Sequence, residues 1–491
     1  MTKSQSHILK TIQFIFLLIA SFAFFNCASA PSTGTQSPKQ DNTTSQTTKP
    51  ATPTEKTEVK KTQSPEVVFV EGLQKSLQSG NVDDAIAYFD TMPSNLENND
   101  DIKILKASLL VSANRTEEAS EIANAILESN SANIEALELC AQIAIASGDK
   151  KAQTTAINKI LAIQPNNATA NIIQGNQQAL KKKYKLARAN YANAMKGDPT
   201  NTDAVFGYAK MSYYTDNLST SEKYFKRLLE LDPNSSIAYQ YLGKLAAEKE
   251  NYLVASEHIQ KAIEIDPNNY NYYIDLGQYM RFRGKYEEAE KAWTRAIEID
   301  PSYFLAYTYR AGLRDEQDRF ADALADYNKI IETNPKYYFA YEEIGILEFH
   351  EKNWPKCRAA FEKANAIKST PAYQLMIVIT YLQEKKTIDA KAYSEKCMKH
   401  MNRDSLEYKI MRLFHDQGPI NAETAFSRDL ANESNSTKRG KMTFYFAMYY
   451  QLKNSRTIAA EYFGKIVSMQ SPMFFEYRLA EWALNENPKK L

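Results

Sequence analysis

The chain has 491 residues, with 60 Lys and Arg against 59 Asp and Glu, a formal charge of +1. That balance excludes a body built to recognise polyanions, which needs a basic face or a high pI. Glycine is scarce, at 15 residues, and no Gly-rich phosphate loop, G-x-S-x-G turn or H-E-x-x-H pair occurs, so the common signatures of nucleotide, acyl-transfer and zinc chemistry are missing.

The N-terminus carries Lys3 and Lys10, then an apolar run from Phe14 to Phe25, then Asn26-Cys27-Ala28-Ser29. A basic start before a short apolar stretch reads as a secretory signal peptide. The run is shorter than the roughly 20 residues that span a bilayer. A lone Cys closing it, followed by small residues, resembles the lipobox of bacterial lipoproteins. Phe24 and Asn26 depart from the commonest Leu and Gly or Ala, and resemble the looser spirochaetal form. The resemblance implies that residues 1–26 are a lipoprotein signal and that Cys27 becomes the lipidated first residue. The chain would then be anchored to the membrane rather than spanning it. The expected location is the bacterial cell envelope, at the outer membrane. Residues 28–65 hold no Leu, Ile or aromatic and a single Val, Val59. Such a segment cannot bury enough apolar surface to order itself. With Cys27 it forms a tether, residues 27–65, whose r.m.s. span as a coil is about 30–40 Å.

Beyond it the chain repeats. Pro165, Pro199, Pro233, Pro267, Pro301 and Pro335 stand 34 residues apart. A fixed period of that length marks stacked copies of one supersecondary unit, here two helices and two short connections. With the proline at position 32, position 20 is small: Ala85, Ala119, Ala187, Ser221, Ala255, Ala289, Ala323, Cys357. Position 8 is also small, as in Gly175, Gly243, Gly277 and Gly345. Position 24 is large, as in Tyr191, Phe225, Trp293 and Phe361, and position 17 is mostly aromatic, as in Tyr184, Tyr252, Tyr286, Phe320 and Trp354. A mid-helix Gly costs about 1 kcal/mol against Ala. Its recurrence predicts a close helix crossing, with position 20 as the opposite face. Asp-Pro at 232–233, 266–267 and 300–301 ends each second helix, and the Asn and Ser that follow can cap the next first helix.

Leu242-Gly243, Leu276-Gly277, Ala289, Trp293, Ala296 and Pro301 resemble the signature of the tetratricopeptide repeat (TPR), with Tyr239, Tyr273, Tyr307 and Tyr341 where that family usually has Trp. The resemblance covers roughly residues 66–403. It implies an all-α fold, a TPR-type right-handed α-solenoid of about ten to eleven helix pairs. It also implies a binding groove lined by positions 2, 5, 9, 12 and 13. In this chain those positions hold Phe206, Lys210, Tyr213, Tyr214, Gln240, Lys244, Ile274, Gln278, Arg281, Phe282, Phe339, Glu342, Phe349 and His350. Aromatics interleaved with amides and charges suit an extended peptide or a partner helix.

After Ala372 the register slips, with Ala390 one residue early, and 404–491 holds degenerate repeat-like helices and a C-terminal cap. Leu406 to His415 reads as a helix broken by Gly418-Pro419. Phe446, Ala447, Tyr450, Ala459 and Phe463 restore the pattern in a last unit near 440–473. In the closing helix, about Met473 to Leu484, Glu476, Arg478, Glu481 and Asn485 are placed to face water. Cys140, Cys357 and Cys397 form no CxxC motif and occur where small apolar residues pack. His258, His350 and His400 stand apart from one another, so no metal, cofactor or catalytic residue is expected. The residues predict a lipid-anchored envelope scaffold that binds a protein or peptide without turnover, with no nucleic-acid partner. Two other readings fit the same residues: a surface lipoprotein that binds host components, and an accessory subunit of envelope polysaccharide or peptidoglycan machinery.

Overall fold

In the computed structural model, residues 64–78, 80–418, 420–470 and 473–485 are described. Cys27 and the tether as far as residue 63 lie outside them, and Pro65, expected at the tether's end, already opens the helix Pro65–Gln78. Among the described residues there are 25 α-helices, twelve consecutive pairs and the closing helix Phe475–Asn485, against the ten to eleven pairs expected, and no strand. The chain divides into two compact units, one ending at Pro233 and one beginning at Asn234. The fold is a tetratricopeptide-repeat α-solenoid.

One repeat shows why these residues form these elements. Tyr270–Phe282 and Tyr286–Ile299 span 13 and 14 residues. Each is about 20 Å long at 1.5 Å per residue. Asn269 precedes the first helix, and its side chain accepts from the backbone N–H of Asn271. Asn133, Asn167 and Asn201 cap their first helices in the same way, on Ala136, Ala170 and Ala204, whereas Tyr303 and Tyr337 at the same position make no side-chain cap. Each first helix then ends on a left-handed residue. That position is Gly in Gly80, Gly148 and Gly284, but also Asn114, Lys182, Asp216, Glu250, Asp318 and Lys352, with φ between 56° and 81°. Lys385 and Asn454 take the same conformation, which fixes the late registers at 371 and 440. The late first helix accordingly starts at Pro371, behind a Thr370 cap on the Tyr373 N–H.

The predicted crossing is present, since Ser221 donates to the carbonyl of Ala209 at 2.9 Å. Position 20 is not what excludes a side chain from most of the glycines, however. A Cβ on Gly277 would stand 2.2 Å from Trp293 Nε1, and one on Gly345 would stand 2.8 Å from the Phe361 ring. The ring at position 24 lies across the glycine, so Gly and ring are one packing unit. Only at Gly243, where position 24 is Ile259, is the nearest atom the backbone of position 20, the Ala255 carbonyl at 3.1 Å.

In the unit beginning at Asn234, the repeats lead into Leu406–Asp416, Ile420–Ala431, Ser436–Leu452 and Arg456–Val467. Phe444, Tyr445, Phe446 and Ala447 are all fully buried, so residues 442–449 of the helix Ser436–Leu452 are covered on every side. A helix apolar all round belongs to the interior of its unit. Among the described residues, no helix is long and apolar enough to cross a membrane.

Candidate partner-binding groove

In the unit ending at Pro233, the groove positions cluster on Thr202–Tyr214. Tyr214 is exposed and stacks on Tyr184, ring centroids 5.1 Å apart, with Tyr213 edge-on at 5.7 Å. The Lys210 ammonium lies 5.4 Å from the centre of the Phe206 ring. Phe206 in turn meets buried Phe225 edge-on at 6.3 Å. Aromatic surface and a cation are therefore offered together.

In the unit beginning at Asn234 most of the residues divide into two groups. Gln240 donates to Asp275 at 2.7 Å, and Lys244 stands 3.6 Å from the same carboxylate. Burial raises the Asp275 carboxyl despite both partners. Ile274 is buried, and its carbonyl accepts from Trp293 Nε1 at 3.4 Å. Gln240 and Ile274 thus serve packing, while Gln278 is half-buried beside them. The exposed group is different. Arg281 pairs with Glu316 of the next repeat, and Phe282 stacks on Tyr252 at 4.6 Å. Phe339 is exposed and stacks on Tyr338 at 4.1 Å. Glu342 and Phe349 belong to neither group and are half-buried: Glu342 accepts from the Tyr373 hydroxyl at 2.5 Å, and Phe349 meets Trp354 edge-on at 5.2 Å.

The closing helix departs from expectation. Asn485 is exposed and Glu481 half-exposed, but Glu476 and Arg478 do not face water. Glu476 is fully buried and accepts from the Tyr445 hydroxyl at 2.8 Å, and burial raises its carboxyl. Arg478 clamps Asp315, 163 residues upstream, through two hydrogen bonds of 2.6 Å. Asp315 is position 12 of its repeat, a groove position. One turn on, Trp482 lies 4.2 Å from His350 and 5.5 Å from Phe320. The physical reason is apolar: Leu479 and Ala480 are buried, and Phe475 packs on Phe361 and Tyr373. Covering that surface brings Arg478 and Trp482, which adjoin Phe475 and Leu479 on the helix face, against the groove positions of the 304 and 338 repeats. The register places Asp315 at a groove position, but it held no sign of Arg478 or Trp482. The one available signal was the spacing of Arg478 and Trp482, which puts both on one helix face.

Among the described residues, no group of His, Cys, Asp and Glu is arranged to hold a metal ion. The site offers stacked rings and paired charges, which is binding chemistry. Sequence models described as tetratricopeptide repeat match residues 76–143, 237–269 and 258–291. The chain carries tetratricopeptide repeats. A search of curated proteins finds no match. Among solved structures, TPR folds match parts of this TPR chain. MamA is 22% identical over 33% of this chain and 95% of its own, with a TM-score of 0.31. YrrB, described as a TPR protein with an unusual peptide-binding site, is 20% identical over 36% of this chain and 92% of its own, with a TM-score of 0.32. A tetratricopeptide repeat protein from Parabacteroides merdae is 19% identical over 50% of this chain and 98% of its own, at 0.38.

Proposed function

We propose that the chain is a lipid-anchored scaffold of a bacterial envelope, holding a protein or peptide partner on the first-helix face of its TPR array without turning it over. The observation that carries this reading is the exposed aromatic at position 13, Tyr214 in one unit and Phe282 in the other. Each is backed by a ring of the preceding repeat, at 5.1 and 4.6 Å. A ring held flat by its neighbour loses little freedom on binding, so little ordering entropy opposes the partner. Aromatic anchors of this kind dominate interface energetics. The membrane end of the proposal rests on Cys27 and the apolar run before it.

The test is affinity capture from detergent-solubilised envelopes with the full chain as bait. The control carries Tyr213, Tyr214, Arg281 and Phe282 changed to Ala, after its helicity is checked. A partner held by the wild type and lost from the control is the expected result. A partner held equally by both sinks the groove. For the anchor, Cys27→Ala is expected to move the protein to the soluble fraction, and undiminished membrane partition sinks that part alone.

A further inference from the structure

Two places in the unit beginning at Asn234 carry a ring pair at the same register positions, edge-on at 78° in one and stacked at 15° in the other. At position 17 of the 304 repeat, Phe320 meets His350, position 13 of the next repeat, at 5.0 Å. Two repeats upstream in register, Tyr252 meets Phe282 at 4.6 Å, almost parallel at 15°. The first pair is covered by Trp482, which the Arg478–Asp315 clamp holds in place. The second is open: Phe282 is 62% exposed, and Leu253, next to Tyr252, is 52% exposed. The occupied copy shows an indole covering a ring pair at this register.

We propose that the Tyr252–Phe282 pair is a docking platform for a partner helix that presents a tryptophan. The proposal rests on the groove reading above and deepens it by naming the partner's contact residue. An indole can stack on the exposed ring of Phe282, which Tyr252 backs, and aromatic pairs gain beyond burial alone. The clamp is not repeated here. Where Asp315 stands in the occupied copy, the register places Ala247. The carboxylate of Glu316 is taken by Arg281. The open platform therefore selects the ring and is indifferent to a cation one turn before it, whereas the occupied copy uses both.

That difference makes the proposal testable with the full chain and one probe. The probe is a fluorescein-labelled peptide with the sequence of residues 473–491, together with its Trp482→Ala and Arg478→Ala versions. Binding is read by fluorescence anisotropy. The wild-type peptide is expected to bind saturably. The Trp482→Ala peptide is expected to bind about tenfold more weakly, and the Arg478→Ala peptide about as well as the parent. A Tyr252→Ala/Phe282→Ala chain is expected to lose a similar factor, and the peptide variants give the same answer on an unaltered chain. Equal losses for the two peptide variants mean exchange with the chain's own helix at Asp315, and overturn the proposal. So does undiminished binding to the double-alanine chain, or no binding at all. If the peptide fails while the capture partner is still lost from the four-alanine control, the groove stands and the tryptophan falls.

Discussion

The repeats between 270 and 337 and the tail between 404 and 485 are both built of helices, but they are held by contacts of different reach. In the repeats the ties among their own residues are short in sequence. Gly277 packs against Trp293. Glu290 pairs with Arg314 at 2.7 Å and Arg319 at 2.6 Å in the next repeat. The Arg310 guanidinium grips Asp326 of its own repeat. In the tail the Arg478–Asp315 pair closes a loop of 163 residues, and the Tyr445 hydroxyl donates to the Ala372 carbonyl 73 residues away. A chain tied locally yields repeat by repeat. A chain tied over long loops loses its closure as a block.

The largest effect is expected where the local tie has no slack. Gly277→Leu drives a side chain into an indole that a Cβ alone would already approach to 2.2 Å. The expected cost is about 3 kcal/mol. Hydrogen exchange is expected to show protection lost first in Tyr270–Phe282 and Tyr286–Ile299, with Phe475–Asn485 unaffected at first. Uniform loss across the unit would break the distinction between the two regions.

Next comes Asp315→Ala, which leaves a largely buried guanidinium without its partner. The Arg478 side chain keeps some access to water, so the expected cost is about 2 kcal/mol, below that of a fully buried pair. Here the protection is expected to go from Phe475–Asn485, not from the 270 repeat. Combining Asp315→Arg with Arg478→Asp is expected to restore part of it. Failure of Asp315→Ala to loosen that helix shows that apolar contacts alone hold the tail.

How much of this was legible follows from the same difference in reach. The 34-residue phase was readable because the proline, the small residue at position 20 and the ring at position 24 answer to each other within a single repeat. Phe282 and Tyr214 are exposed at the groove positions that the register gave them. Ile274 and Gln240 were placed in the groove by the same register, yet they turn into the helix seam beside Trp293 and Asp275. Their polarity and size said nothing of that. Glu476 and Arg478 looked like a solvated helix end because charge usually means water. Nothing near them in sequence points to Tyr445 or Asp315. Lipidation at Cys27 lies outside the described residues, so it stands on sequence alone.

A third effect belongs to the acids of the 304 and 338 repeats that face Arg478. Burial raises the Glu343 carboxyl to about 7, with Asp315 and Glu342 adding to the rise and Arg478 opposing it. A carboxyl whose folded pKa lies above its unfolded value binds more protons when folded. Its contribution is therefore most favourable at low pH and is lost as pH rises from about 4.5 through 7. Glu343→Gln removes that slope. The wild type minus Glu343→Gln difference in unfolding free energy is expected to fall by about 2 kcal/mol between pH 5 and 8. A flat difference would mean that Glu343 ionises without cost, and that the groove over which Arg478 sits is wetter than its packing suggests.

The smallest effect concerns the device that both regions share, the left-handed residue that closes each first helix. Lys352 holds φ at 58° and Asn454 at 60°. A side chain in that conformation costs about 1–2 kcal/mol, least for Asn and most for residues without a short polar group. Glycine removes the cost but adds freedom to the unfolded chain. Lys352→Gly is therefore expected to stabilise by about 0.5 kcal/mol, and Asn454→Gly by less. Denaturant midpoints at unchanged slope would register both. If the gain from Lys352→Gly is confined to exchange in Tyr338–His350 and Trp354–Ile367, the repeats respond one at a time even next to the tail. If it spreads to Phe475–Asn485, the clamp on Asp315 and the rings around Trp482 couple the last repeats to the closing helix, and the boundary between the two regimes lies upstream of 338.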